Sequence, residues 1–240
     1  MGMKYIFTPP FMQSLGLFSM EEIGPGKTAE YLGFIPVEYR FIDLCIVNNP
    51  GKHGTGVTER SNFRLRMDDD YDVISSGYTP DCRRNISKAA KDLKILVDET
   101  SPGEVINLFQ KGPGSRVRGI RERDYYSLEQ LMNYAIETGQ GEIVSVKTGK
   151  RLIYGLFLLK TRGLVTLLFT ATSDESRTKG CGYRAVDYLV RRYAGSESVI
   201  DFAGSSIPSI ADFIRSFGAT REIYYRVYRN NLPWPLRKLR

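Results

Sequence analysis

Hydrophobic positions change their spacing several times along the chain, and each change predicts a different element. In the segment DYYSLEQLMNYAIETG, apolar residues recur every three or four positions, which predicts an amphipathic helix that stops at Gly139. Three apolar segments follow in close succession, GEIVSVKTG, RLIYGLFLLKT and GLVTLLFTAT, with glycine-containing turns between them. This succession predicts a three-strand meander.

The remaining apolar segments extend the pattern on both sides of the meander. KILVDE predicts a strand and PGEVINLFQK begins a helix. After the meander, a helix over 183–194 leads to the strand SVIDFAG, the helix IPSIADFIRSFG and the strand TREIYYRVYR. Upstream, YRFIDLCIV and TERSNFRLRM predict strands, and TPDCRRNISKAAKDL predicts a helix with Pro80 in its first turn. The expected fold class is therefore α/β (α+β), a mixed sheet flanked by helices.

Composition narrows the classes of function. The 240 residues carry a formal net charge of +7, so an anionic partner is expected, although a solvated basic face would give the same excess. The three cysteines are scattered, which fits a reducing cytoplasm and supplies no metal or disulfide framework. His53 is the only histidine, which argues against a zinc site and a Ser-His-Asp triad. The sequence shows neither an apolar run that predicts a membrane span nor a nucleic-acid-binding motif.

The residues between the third meander strand and the next helix spell R-x-x-G-x-G, from Arg177 to Gly182. Glycine lets backbone N–H groups approach a ligand, a helix start adds a positive dipole, and Arg177 and Lys179 add full charges. An ordinary strand-to-helix turn also contains glycines, so the segment alone leaves both interpretations open. Cys181 stands at the helix start, where a lowered thiol pKa is expected.

This segment resembles the pyrophosphate-binding loop of the GNAT acyl-CoA N-acyltransferase superfamily, and the order of elements around it resembles the same fold. A second landmark, IPSIADFIRSFGA, is similar to a later helix of that superfamily. The resemblance implies transfer of an acyl group, without a metal, from acetyl-CoA or a longer acyl-CoA to an amine of a small molecule or peptide. It also implies a cofactor site formed by Thr170, Ala171, Thr172, Arg177, Thr178, Lys179, Gly180, Cys181 and Gly182.

Two upstream segments, YIFTPPFMQSLGLFS and GYTPDCRRNISKAA, resemble the linking region of tandem-GNAT proteins of the FemAB-like group. That group includes the Fem-type peptidyltransferases, in which a basic helix joins two GNAT-like halves. The resemblance implies a partial N-terminal GNAT-like half at residues 1–80 and a complete C-terminal GNAT domain at residues 81–240, with further sequence expected upstream.

The chain departs from the GNAT pattern where a proton donor is expected. In typical family members a tyrosine in the later helix can protonate the leaving thiolate, and here Ile214 occupies that position. The remaining catalytic candidates are Asp201, Ser205 and Ser206, at the end of the strand that follows the loop helix. Each has a structural alternative, because Asp201 alternates with apolar neighbours and serines commonly cap helices.

Three functions remain open from the sequence. The first is an acyl-CoA-dependent N-acyltransferase. The second is an aminoacyl-tRNA-dependent transferase for cell-wall precursors, which the Fem resemblance and the basic helix near Arg83 suggest; the lack of a long heptad stretch for a tRNA-clamping arm weighs against it. The third is a degenerate GNAT module that binds without catalysing, which Ile214 suggests.

Overall fold

The computed structural model describes residues 4–13, 15–51, 56–204, 207–234 and 236–238. Contacts divide the chain into two compact units. Unit 1 comprises Met1–Asn62, Gly204–Ser206 and Arg221–Arg240, and unit 2 comprises Phe63–Ala203 and Ile207–Thr220. The boundary expected between residues 80 and 81 rests on resemblance to a family, whereas these units are defined by contacts between residues. The expected boundary therefore stays a prediction.

The elements follow one another in the order that the hydrophobic pattern suggests. The first part of the chain forms β1 (Lys4–Phe7), α1 (Pro25–Gly33), β2 (Tyr39–Ile46), β3 (Val57–Arg66), α2 (Tyr71–Ser76) and α3 (Pro80–Asp92). The central part forms β4 (Leu96–Val97), α4 (Pro102–Lys111), a 3-10 helix (Pro113–Arg116), α5 (Glu122–Glu137), β5 (Gly141–Thr148), β6 (Arg151–Thr161) and β7 (Leu164–Thr172). The last part forms α6 (Asp174–Lys179), α7 (Cys181–Tyr193), β8 (Val199–Asp201), α8 (Pro208–Arg215), β9 (Thr220–Asn230) and a second 3-10 helix (Leu236–Lys238).

Helix starts follow the local capping chemistry. The Thr79 hydroxyl accepts a hydrogen bond from the Cys82 N–H at the start of α3, where Pro80 occupies the first turn as predicted. At the start of α4, Ser101 and Glu104 form a capping box. The strand predicted in KILVDE is only two residues long, and the six-residue helices α2 and α6 were not predicted.

Unit 1 contains a small sheet with the strand order β1, β2, β9, β3. Strand β1 runs parallel to β2, and β9 runs antiparallel to it. Alternate residues of β2 enter the core of this unit, in which Ile42, Leu44 and Ile46 are buried with Val227. On the intervening positions of β2, Asp43 accepts two hydrogen bonds from Arg226, at 2.6 and 2.7 Å.

Unit 2 contains the strand order β3, β8, β7, β6, β5, β4. Among the described strands of this unit, β7 and β8 pair in parallel, whereas β3–β8, β4–β5, β5–β6 and β6–β7 pair antiparallel. The meander predicted from the three apolar segments is therefore confirmed, and β8 returns beside its last strand through a helical crossover, as a parallel pairing requires.

Helices cover both faces of the meander. Leu156 and Leu158 belong to a core cluster that also includes Cys82 of α3 and Leu189 of α7. Gly155, which precedes Leu156 and faces the other side of the sheet, lies against α4, since a Cβ added there would come within 2.9 Å of the Val105 methyl groups. Burial on both faces explains why β6 reads as a nearly continuous apolar run.

One carboxylate in this sheet is buried and paired. Glu142 of β5 is 2% exposed; it accepts hydrogen bonds from Lys160 (3.1 Å) and from two nitrogens of Arg192. Burial raises the pKa of Glu142, but these hydrogen bonds lower it by more, so the net shift is downward. Among the helices in the described ranges, none has the length and apolar composition that crossing a bilayer requires.

Candidate functional site

The candidate site lies where β7 extends past its pairing with β8. Their parallel pairing covers the first residues of β7, ending at the pair Thr166 and Asp201. Beyond that pair, β7 continues to Thr172 in register with β6, whereas β8 ends and the chain turns through Ala203 with φ +53°. The carboxyl-terminal half of β7 therefore extends past the end of its parallel neighbour, and the carboxyl ends of parallel strands are common ligand sites in α/β sheets.

A register shift in β7 lies at the start of this extension. Phe157 of β6 pairs with Phe169, and the next residue, Leu158, pairs with Leu167. Leu168 is therefore an additional residue on β7, which is the arrangement of a β-bulge. A bulge redirects backbone groups out of the ladder, so β7 can present an N–H group to a ligand at this point.

A pocket of about 260 Å³ adjoins the end of β7. Three cationic side chains line it, those of Lys111, Arg116 and Arg177, together with one carboxylate, that of Asp174. The pocket therefore has an excess of positive charge. The remaining lining residues are Leu108, Gly112, Ser115, Thr172 and Ser173.

Two of the nine predicted cofactor residues, Thr172 and Arg177, line this pocket, and sequence reasoning missed the opposite wall. That wall is the turn that follows α4, in the sequence QKGPGSRVR, where basic residues flank a Gly-Pro-Gly turn. These basic residues could have indicated an anion site. They lie far from the R-x-x-G-x-G segment in the sequence, so nothing local connects the two segments. Gly112 permits the close approach of the two walls, because a Cβ there would come within 2.9 Å of the Thr172 carbonyl oxygen.

The first half of the R-x-x-G-x-G segment is helical, not the loop that was expected. Helix α6 begins at Ser173, whose hydroxyl accepts a hydrogen bond from the Ser176 N–H (3.1 Å), and ends at Gly180 with φ +71°. Within this helix Arg177 pairs with Asp174 at 2.9 Å, and Lys179 pairs with Glu175 at 2.9 Å. The expected cations thus have local partners that reduce their net charge.

The two glycines of the segment lie beside neighbouring helices at ordinary contact distances, and Gly180 is favoured there by its positive φ rather than by a lack of space. A Cβ at Gly180 would stand 3.5 Å from the Asn85 carbonyl oxygen and 3.6 Å from the Ala89 Cβ, both on α3. A Cβ at Gly182 would stand 3.4 Å from the ring of Phe213. Helix α7 starts at Cys181, and among the described residues no side chain caps its first N–H groups. Those N–H groups are the part of the predicted anion site that the helix start offers.

The expectation of a lowered pKa at Cys181 is wrong. Its side chain is fully buried, and this burial raises the thiol pKa to about 11, against a smaller lowering effect of Lys179. A thiol enclosed by apolar neighbours loses the hydration that would stabilise its thiolate, and one helix start does not restore it.

The other predicted cofactor residues lie along the same strand and helix. Thr170 is exposed on β7, whereas the neighbouring Ala171 is buried. The Thr178 hydroxyl donates to the Asp174 carbonyl oxygen at 3.1 Å within α6. The set of nine cofactor residues stays a prediction.

Of the three catalytic candidates, the structure describes Asp201 alone. Asp201 is 6% exposed; its Oδ2 accepts a hydrogen bond from the Arg64 Nε (2.8 Å) and its Oδ1 from the Ala203 N–H (2.8 Å). Ser205 and Ser206 lie outside the described residues, as does His53. Ile214 is 3% exposed and belongs to the main core, so this position of α8 faces the interior.

Comparison with solved structures identifies the fold. The crystal structure of FemX superposes with a TM-score of 0.55 at 12% identity, covering 84% of this chain and 74% of FemX. L-PGS from Bacillus licheniformis gives a TM-score of 0.52 at 13% identity, covering 90% of this chain and 76% of that one. A GCN5-related N-acetyltransferase from Kribbella flavida gives 0.51 at 11% identity, covering 89% and 79%.

No family model and no curated protein matches the sequence. At these identities the superpositions establish the fold. The chain therefore has a GNAT-like fold of the FemAB-like kind, as its sequence predicted.

Proposed function

We propose that this chain, with its GNAT-like fold, is an N-acyltransferase that takes its acyl group from an acyl-CoA. The observation that carries the proposal is the extension of β7 past its pairing with β8, next to a pocket with three cationic side chains. An extended thioester ligand with phosphate groups at one end matches this combination, because the end of β7 receives a chain and the cations receive the phosphates.

The residues present fit the phosphates of such a ligand. Arg116 and Arg177 carry guanidinium groups, which bind phosphate oxygens in pairs, and Lys111 adds a third charge. The start of α7, which no described side chain caps, is a separate candidate for anion binding and does not line this pocket. When bound, acyl-CoA supplies the thioester carbon that is attacked.

The proposed reaction is direct transfer. The acceptor amine attacks the thioester carbonyl, a C–N bond forms, the C–S bond breaks, and the amine loses the proton that the leaving thiolate ultimately needs. An N–H of the bulged part of β7 would stabilise the carbonyl oxygen as it gains charge. Asp201 stays the candidate base, although its hydrogen bonds to Arg64 and Ala203 must leave one lone pair accessible.

Isothermal titration calorimetry with acetyl-CoA and longer acyl-CoAs tests the donor. Replacing Arg116 and Arg177 by Glu is expected to weaken binding by about 100-fold, since each lost charge-assisted contact accounts for roughly a factor of ten. The matched control replaces Lys150 and Arg162 by Glu, because both are exposed cations in hairpin turns outside the pocket. Absence of acyl-CoA binding by the wild-type protein, or equal binding by both double variants, would refute the proposal.

Turnover is measured separately, as CoA release with a panel of amines. Release that requires an amine supports the transferase, whereas acyl-CoA binding without release from any amine favours the non-catalytic module.

The second candidate function uses an aminoacyl-tRNA as the donor. Two observations favour this candidate: the fold is shared with FemX and L-PGS, and the pocket beside β7 is basic. A donor RNA that contacts several cations must bind less tightly as salt rises, with a steep dependence. A gel-shift series with aminoacylated tRNA across salt concentrations distinguishes the donors: salt-sensitive binding without acyl-CoA affinity selects the RNA-dependent reaction.

A further inference from the structure

A second pocket, of about 550 Å³, opens between the end of α3 and the middle of α7. It shares no residue with the pocket beside β7. Gly180 lies beside Asn85 and Ala89 of α3, and the pocket lies along the following turns of α7, at Arg184 and Tyr188. Its volume is in the range of about 300 to 1,000 Å³ that small-molecule sites occupy.

The guanidinium of Arg184 is the unusual group of this pocket. Its side chain is only 25% exposed, and Nε is fully enclosed without a hydrogen-bond partner. Its nearest charged neighbour, the Asp187 Oδ2, is 3.6 Å from Nη1, which is too long for a hydrogen bond. Within the ranges that the structure describes, the side chain of Arg184 therefore makes no hydrogen bond, although a guanidinium has five donors.

Asp187 does not supply the missing acceptor, because its own oxygens are engaged. Oδ1 accepts a hydrogen bond from the Tyr71 hydroxyl at 2.8 Å, and Oδ2 accepts one from the Arg191 Nε at 2.9 Å. Asp187 is fully buried, so this arrangement is fixed by packing. The enclosed Nε of Arg184 is out of reach of a ligand, but the side chain is 25% exposed and its Nη groups are not among the enclosed atoms, so they can donate hydrogen bonds to an acceptor in the pocket.

Two further cations and an apolar wall complete the pocket. Lys91 lines it from the last turn of α3 and Lys94 from the segment that follows, and neither forms an ion pair or hydrogen bond with any residue that the structure describes. Leu93, Ile95 and the phenol ring of Tyr188 form the apolar side. Three cations suit a ligand with two negative charges better than one with a single charge, and the apolar wall suits an organic group attached to it.

We infer that this pocket binds the phosphate monoester group of a small organic ligand, with Arg184 as the principal hydrogen-bond donor and Lys91 and Lys94 as supporting charges. A planar guanidinium donates two parallel hydrogen bonds to phosphate oxygens, and lysine adds charge without fixed geometry. The organic part of the ligand lies against Tyr188 and Ile95. The inference does not depend on the proposed acyl-CoA site, since the two pockets share no residue.

Phenyl phosphate is the probe, titrated by calorimetry at low ionic strength and compared with inorganic phosphate and benzoate. We expect phenyl phosphate to bind more tightly than inorganic phosphate, because of the apolar wall, and more tightly than benzoate, because of its second charge. Arg184→Met is expected to weaken phenyl phosphate binding by about tenfold or more. Adenosine monophosphate and glucose 6-phosphate then distinguish a nucleotide from a sugar phosphate.

Two controls separate binding from folding. Lys91→Met combined with Lys94→Met changes only exposed side chains and should weaken binding by several fold, whereas Lys150→Met combined with Arg162→Met should leave binding unchanged. Without ligand, the melting temperature of Arg184→Met should equal or exceed that of the wild type, because the substitution removes unsatisfied donors.

Two results would overturn the inference. The first is wild-type protein that does not bind phenyl phosphate. The second is an Arg184→Met variant that loses stability while it binds the probe as the wild type does, since this outcome would assign Arg184 a structural role.

Discussion

Replacing Asp201 by Ala should lower the free energy of unfolding by about 2 to 3 kcal/mol. The hydrogen bond from Arg64 is charge-assisted, but the Arg64 side chain is 36% exposed, so solvent screening reduces the value of the ion pair to about 1 kcal/mol. The hydrogen bond from the Ala203 N–H contributes about 1 kcal/mol more. Truncating a side chain that is only 6% exposed also leaves a cavity, which adds up to about 1 kcal/mol.

The loss of stability depends on whether both carboxylate oxygens of Asp201 are removed or only the one that faces Arg64. Comparing Asp201→Ala with Asp201→Asn tests this difference. Asp201→Asn keeps an oxygen for the Ala203 N–H but turns its NH2 group toward the Arg64 Nε, so it loses the charge and the hydrogen bond on that side alone and should cost about 1 kcal/mol. Urea denaturation followed by circular dichroism measures both variants. The control is Asp212→Ala, whose carboxylate is 66% exposed and should change the free energy of unfolding by less than about 0.5 kcal/mol.

The reasoning fails if Asp201→Ala is as stable as that control. The kinetics of Asp201→Asn answer a separate question. If Asp201 is the base, kcat for amine acylation should fall by about 100-fold or more in the folded variant. An unchanged kcat would leave the residue with a structural role alone.

Three further predictions concern groups whose surroundings the structure defines. The pKa of Glu142 is lowered in the folded state, so its ion pairs stabilise the protein above its ordinary pKa of 4.5 and lose that effect as pH falls below it. Glu142→Gln should therefore be less stable than the wild type at neutral pH, with the difference shrinking in denaturation curves near about pH 3. The buried Cys181 thiol, with its pKa near 11, should react with iodoacetamide at neutral pH at least about 100-fold more slowly than free cysteine, and rapid alkylation located there by mass spectrometry would contradict the assignment. Gly112→Ala should destabilise the protein by about 1 to 3 kcal/mol and weaken acyl-CoA binding, because its Cβ meets a backbone oxygen; Gly103→Ala meets only the flexible end of a glutamate and should be tolerated in the same assays.

Much of the fold was predictable because its elements carry strong local signals. The meander strands are apolar on both faces and separated by glycine turns, and the start of α3 contains Pro80 after a threonine cap. Helix α6 also had usable signals, since Ser173 precedes two acidic residues and Gly180 follows a basic one. Those signals were overlooked because the resemblance to a phosphate-binding loop favoured an irregular conformation.

The candidate site was less predictable, since it depends on contacts between distant segments. Asp201 and Arg64 are 137 positions apart, and no local pattern indicates that they form an ion pair. The burial of Cys181 depends on the packing of α7 against the rest of the core, which reverses the pKa expected from its position at a helix start. The pocket at Arg184 forms because α3 and α7 are neighbours. The sequence predicts both helices, but no local pattern predicts that they pack side by side.

The pairing of β2 with β9 has a consequence for the order of folding during synthesis. Asp43 and Arg226, which form an ion pair across these two strands, are 183 positions apart, so β2 leaves the ribosome long before its partner exists. The segments of unit 2 lie almost entirely between them and can form their own sheet in the meantime. Until β9 emerges, β2 has an unpaired edge and an apolar face, which are features that recruit chaperones or other strands. Pairing with β9 therefore removes this exposed edge only late in synthesis, after all of unit 2 has been made.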